Sequence, residues 1–177
     1  QEILAEWAVR ELLPSYSPNA NNKIEWGTST AMTCTLVSLA NATARGAAFV
    51  DNATNKFLDA LVYLAIELAT GTPAGDKAIY VYVYGSEDGV NYTDNSLGTD
   101  AAVTLRVPTN LKRIGIINTP DAGALTYKSH PMSVAAAFGG VMPRRWGIVV
   151  ENQTGIAFGA TEGNLIKTYS GIYSTTV

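Results

Sequence analysis

The chain is predicted to fold as an all-β, jelly-roll-like antiparallel β-sandwich with a short N-terminal helical arm. Three observations lead there. Tyr80, Tyr82 and Tyr84 alternate with Ile79, Val81 and Val83, and a period of two sends the two sets to opposite faces of a sheet. Comparable segments recur from Ile24 to the C-terminus with turn residues between them, the pattern of a sandwich or jelly roll. The first 13 residues follow helical spacing instead.

In that stretch Ile3, Leu4, Trp7, Ala8 and Leu12 share one side of a helical wheel. Glu2, Glu6 and Arg10 lie four apart on the other side, with Glu6 placed N-terminal to Arg10 for an ion pair. Pro14 stops the helix, because the residue before proline avoids the helical region. A helix this short is marginal alone in water, so its apolar stripe must dock on something. Ser15–Asn22 reads as a connector, dividing the chain into an arm at 1–22 and a β domain at 23–177.

The expected strands are Met32–Leu39, Ala47–Val50, Leu58–Ala69, Ala78–Tyr84, Ala102–Val107, Arg113–Asn118, Ser133–Phe138, Trp146–Glu151 and Tyr169–Thr176. Gly- and Pro-containing turns separate them, among them Gly71–Asp76, Glu87–Gly89 and Asn152–Gly155. Leu58–Ala69 has helix-favouring composition, but Val62, Leu64, Ile66 and Leu68 alternate with Leu61, Tyr63, Ala65 and Glu67, which argues strand. The Gly71–Asp76 turn then predicts a hairpin joining it to the tyrosine strand.

Composition narrows function. A net charge of −3 on 177 residues gives no electrostatic reason to expect nucleic acid. No run approaches the ~20 apolar residues of a membrane span, and the first residues lack the cationic-then-apolar order of a signal peptide. Neither nucleic acid nor membrane is therefore expected as a partner. The single cysteine, Cys34, alternates with Thr33 and Thr35 and reads as a small buried side chain. The four Asn-x-Thr triplets, at Asn41, Asn52, Asn91 and Asn152, are expected by chance in so Asn- and Thr-rich a chain.

Catalytic patterns are weak. His130, the only histidine, lies in a polar turn before Pro131, and with one His and one Cys no histidine-rich zinc site is possible. Gly71–Lys77 has the wrong glycine spacing and is followed by a strand where a phosphate loop needs a helix. Asp88, Asn91, Asp94 and Asp100 crowd one hairpin end, but not in a calcium-loop register. They suit turn bonding better. Tyr80, Tyr82 and Tyr84 offer an aromatic face for sugar or protein, against the plainer expectation that they cover one side of the sandwich. No catalytic residue, metal site or cofactor is assigned.

Several segments resemble structural proteins of tailed bacteriophages. They are Trp26–Thr30, Lys56–Val62, Val83–Gly89 with Tyr92–Asp94, and Ala137–Pro143 leading into Trp146–Val150. The resemblance implies a non-enzymatic virion component, most concretely a capsid decoration (cement) protein of oligomeric form, with the major capsid protein or other virion proteins as partners. It carries over no catalytic residue. The alternatives are a collar, tail or fibre module binding a host glycan or another tail protein, and a carbohydrate-active jelly roll using Asp88, Asp94 or Asp100. Ile3, Leu4, Trp7, Ala8 and Leu12 are the expected interface, docking on another subunit.

Overall fold

The computed structural model describes residues 22–176. Two antiparallel sheets pack face to face, and the all-β sandwich expected from the alternation is what forms. The first sheet is built on β1 (Asn22–Trp26), β12 (Leu165–Thr176), β5 (Asp59–Glu67) and β10 (Met132–Ser133), in that order. β2 (Thr30–Ala31) joins β12, and β9 (Thr126–Lys128) joins β5. The second sheet runs β7 (Ala101–Val103), β3 (Thr43–Gly46), β11 (Arg145–Gln153), β6 (Ala78–Ser86), β8 (Lys112–Asn118), with β4 (Val50–Asp51) also on β11. The chain changes sheet repeatedly, as a jelly-roll-like winding requires.

The core is the layer between the sheets. From β5 it takes Ala60, Val62, Leu64 and Ile66; from β6, Ile79, Val81 and Val83; from β11, Trp146, Ile148 and Val150. Each set is spaced by two, so its strand delivers every second side chain into the same dry layer. Trp146 is fully buried, edge-on to Tyr169 at 5.3 Å between ring centroids. Two glycines admit rings from neighbouring segments. Tyr84 lies over Gly147, its direct cross-strand partner, and Phe57 lies over Gly171, each where a Cβ would stand.

Three expectations need correction. The hairpin between Leu58–Ala69 and the tyrosine strand does not form: β5 and β6 belong to opposite sheets. Both strands have a continuous apolar face, and the two faces bury each other across the core instead of lying side by side. The Gly71–Asp76 turn is an arch between sheets, tied down by Ala74 N–H donating to Thr154 O and Gly123 N–H to Gly71 O.

Met32–Leu39 is not a strand. Met32, Cys34 and Leu36 are buried with exposed Thr33 and Thr35 between them, so the period of two survives without a ladder. The Thr35 N–H and hydroxyl go to the Asp100 carboxylate, and Ser38 N–H goes to Gly159 O. The segment straps the side of the sandwich as it passes from the first sheet to the second.

Ser133–Phe138 is not a strand either. Only Met132–Ser133 pairs with β5, and Ala135–Phe138 forms a 3-10 turn closed by Gly139 at φ 74°. Asp59 starts that turn by accepting from Ser133 Oγ and Ala135 N–H, and the three consecutive alanines favour a helical turn. Two smaller shifts complete the comparison. Of Ala47–Val50 only Val50 is in a strand, the main pairing falling earlier at β3, and Ala102–Val107 shortens to β7.

Replacing Trp146 by Ala is expected to lower stability by ~3–5 kcal/mol, the range for a large aromatic lost from a core. Trp146→Phe should cost much less, because the indole N–H has no partner to lose. Urea unfolding of both variants against the parent chain measures the difference.

Candidate functional site

The carboxylates singled out from the sequence are all engaged, each separately. Asp88 braces the turn after β6: Oδ1 accepts from the N–H groups of Val90 and Asn91 and from Ser86 Oγ, and Oδ2 accepts from Asn91 Nδ2. The Asn91 and Val90 backbone bonds hold its carboxyl far below the usual range. Asp94 pins the segment before β8 by accepting from Thr109 Oγ1 and from Asn110 Nδ2 and N–H, which also lowers its pKa. The Asn91 side chain belongs to the Asp88 turn, not to a shared site. Among the described residues no group of three or more His, Cys, Asp or Glu is placed to hold a metal ion.

Asp100 does different work. It joins the Thr35 strap to the second sheet, accepting from Thr35 at 2.6 Å and from Arg45 Nε at 2.6 Å. Burial opposes its ionisation, but the Arg45 and Thr35 bonds outweigh that and hold the carboxyl below its ordinary value. Cys34, next to this contact, is buried, and desolvation followed by the Asp100 charge pushes its thiol up to about 12. His130 is exposed beside a shallow hollow lined by Arg113, Met132 and Ala136.

The tyrosine face divides into three environments. Tyr84 is buried under the excursion between β6 and β8, T-shaped against Tyr92 at 5.6 Å, with its hydroxyl donating to Ala47 O at 2.7 Å. Tyr82 is half-buried and donates to Glu151 Oε2, and burial followed by that bond moves its hydroxyl up to about 12. Tyr80 is tied to Asp76 by its hydroxyl, which raises its pKa, and lies under the Arg113 guanidinium. An open groove of about 370 Å³ runs alongside, with Ala44, Val103, Leu105 and Glu151 in its walls.

The Asn-x-Thr triplets likewise serve the fold. Asn152 is fully buried: its amide donates to Leu39 O and Ile156 O, while Oδ1 accepts from Thr154 N–H and Oγ1. Asn52 is buried and bonds both ways to the Phe57 backbone.

The surface that stands out was missed from sequence. Opposed residues of paired strands share a face, so the register puts Ile24, Trp26, Ile172, Leu61, Tyr63 and Ile166 together on the outside of the first sheet. Trp26 is 66% exposed, Ile24 53% and Ile166 46%, which is unusual for so many large apolar groups on one face. The signal was in Leu58–Ala69, where both alternating sets are apolar. An antiparallel sheet that meets water on one face ordinarily alternates to polar residues there, so a second apolar set marks an unusual face.

The sheet also ends unevenly. β5 accompanies β12 only as far as Asp59 opposite Ile172, whereas β1 continues to Asn22 opposite Thr176. Tyr173–Thr176 and the paired part of β1 therefore form a two-stranded ribbon reaching four residues, roughly 13 Å, beyond β5. Asn22, assigned to the connector from sequence, is the first residue of β1, at the tip of this ribbon. The predicted interface residues Ile3, Leu4, Trp7, Ala8 and Leu12 lie outside the described residues.

Comparison with family models, with curated proteins and with solved structures finds no match.

Two outcomes follow. Asp100→Asn is expected to lower stability by about 1 kcal/mol at neutral pH, a modest value because the pair is partly exposed. A depressed carboxyl stabilises above its unfolded pKa, about 3.9. The advantage of the parent chain is therefore full above that pH and disappears as pH falls through the lower folded value; urea midpoints from pH 7 to pH 2 track it. Cys34 should resist a disulfide reagent in the native protein and react fully once urea unfolds it.

Proposed function

We propose that the protein is a non-enzymatic virion structural protein, a capsid decoration (cement) protein that bridges neighbouring capsid subunits. The observation that carries this reading is that β1 begins at the end of a two-stranded ribbon that continues four residues beyond β5. An arm joined to Asn22 would leave from that end of the sheet, at its edge strand. The residues carrying the phage resemblance support the reading in a second way. Val83–Gly89 and Tyr92–Asp94 form the end of β6 and its braced turn, and Trp146–Val150 is the centre of β11. They specify a rigid scaffold. Asp88, Asp94 and Asp100, the acids a hydrolase would need, brace loops and a strap.

The mechanism is mechanical. A stiff sandwich sits across a seam between capsid subunits and its arm spreads over a neighbour. About 1,600 Å² of total buried surface suffices for each specific contact. Repeated over the shell, such contacts resist outward pressure from packaged DNA. The partners in this reading are the major capsid protein or other virion proteins and further copies of this chain.

Purified particles should contain the protein in capsid-like copy number, hundreds per particle, as electron cryo-microscopy and quantitative gels would show. A few to a few dozen copies would instead place it in a collar, tail or fibre. Trp7→Ala should weaken assembly of the chains on undecorated capsids by ~30-fold, about 2 kcal/mol for one aromatic anchor on a neighbour, and leave the unfolding of the β domain unchanged.

A further inference from the structure

The exposed stripe on the first sheet has a chemistry that matches one segment of this chain. We propose that the outer face of the first sheet is a docking site for residues 3–12 of a second copy. Ile3, Leu4, Trp7, Ala8 and Leu12 of one copy would cover Ile24, Trp26, Leu61, Tyr63, Ile166 and Ile172 of the other.

Three observations carry it. First, the face carries large exposed apolar groups, Ile24, Trp26 and Ile166, among small polar ones such as Ser170 and Thr168. Trp26 stands opposite Ile172, and Leu61 and Tyr63 continue the stripe diagonally toward Ile166. Burying such a stripe is favourable at ~25 cal/mol per Å² of apolar area. Second, the complementary stripe lies just ahead in the sequence. Residues 3–12 end two short of Pro14, and Pro14–Asn21 extends to at most ~28 Å. The segment can therefore reach a sheet lying close to the ribbon tip and not a remote one.

Third, the ribbon favours a second copy over the chain's own face. β1 runs from Asn22, opposite Thr176, to Trp26, so the chain joins the sheet at the end of β12 farthest from Ile166. The chain's own stripe therefore lies back along β1 and β12 from that end, and a copy seated against the end offers its stripe ahead of it. The ribbon also has no third strand past Asp59 among the described residues. Two strands alone are marginally stable, so a neighbour seated there supports the ribbon as well as receiving the arm.

The proposal concerns contacts between copies of this chain and stands whether or not the particle is a capsid. The test uses full-length chains and no particle, so its failure is separate from failure of the capsid reading. One chain carries Trp7→Cys and another carries Tyr63→Cys; they are mixed and oxidised. A disulfide-linked dimer containing one of each is expected, and Val90→Cys, on an exposed loop elsewhere, should give none in place of Tyr63→Cys. In a separate chain, Ile166→Cys should react with a thiol reagent at least tenfold more slowly than after Trp7→Asp is added. Buried Cys34 stays silent in both measurements. The proposal is overturned if the link forms only within a chain carrying both cysteines, if Val90→Cys links equally well, or if Trp7→Asp leaves the Ile166→Cys rate unchanged.

Discussion

The contact between the inner faces of the two sheets is the interaction on which the rest of this structure depends. Val62, Leu64 and Ile66 meet Ile79, Val81, Val83, Ile148 and Val150 across an apolar layer, with Trp146 fully buried among them and Lys167, paired with Glu162, the buried charge at its margin. Because each strand contributes every second residue, a slip of one position in β6 would turn the tyrosines inward and expose the aliphatic set. That penalty fixes the register of the central strands. With the strands fixed, the loops have defined ends to span and the polar residues have defined places to go.

The polar side chains then follow a common logic. In a chain only 15% charged, most of the carboxylates described above serve the backbone. Asp88 and Asp94 satisfy N–H groups in turns, Asp59 starts a 3-10 turn, and Asp100 supplies the acceptor that Thr35 would have found in a ladder. Buried donors need acceptors, and in a sandwich with long crossings the side chains provide them. Asn152 does this inside the protein, tying the Leu39 segment to the Thr154–Ile156 turn with one amide group. The tyrosine row shows the same economy: each hydroxyl has a partner, and the excursion between β6 and β8 buries only Tyr84.

The outer surfaces of the two sheets differ for the same reason. The second sheet is partly covered by its own excursion, with Tyr84, Val103, Leu111 and Val149 in a small second cluster beneath it. The first sheet has no comparable cover among the described residues, and it carries the apolar stripe from Ile24 to Ile166. That asymmetry is the reason the docking site is proposed on the first sheet. The projecting ribbon puts the chain's entry on that sheet's edge.

Much of this was legible in the sequence. Alternation alone located β5, β6, β8, β11 and β12, because side-chain period is a local property of an extended chain. The burial of Cys34 and the turn roles of Asp88 and Asp94 were legible too, since both follow from residue type and near neighbours. Which strands would pair was not. β5 and β6 are joined by an arch and sit in opposite sheets, with their apolar faces packed against each other across the core. Met32–Leu39 has a strand's pattern but no ladder: the distant Asp100 carboxylate takes the Thr35 donors, and Met32 and Ser38 N–H go to Lys167 O and Gly159 O. The apolar face of the first sheet was hidden in the same way: Ile24, Leu61 and Ile166 are far apart in sequence and meet only through register. Sequence by itself determined where the chain extends and which side of each strand is apolar, since both depend on neighbours two residues away. Tertiary structure alone decided sheet membership and shared surfaces, because those depend on long-range burial that local spacing does not encode.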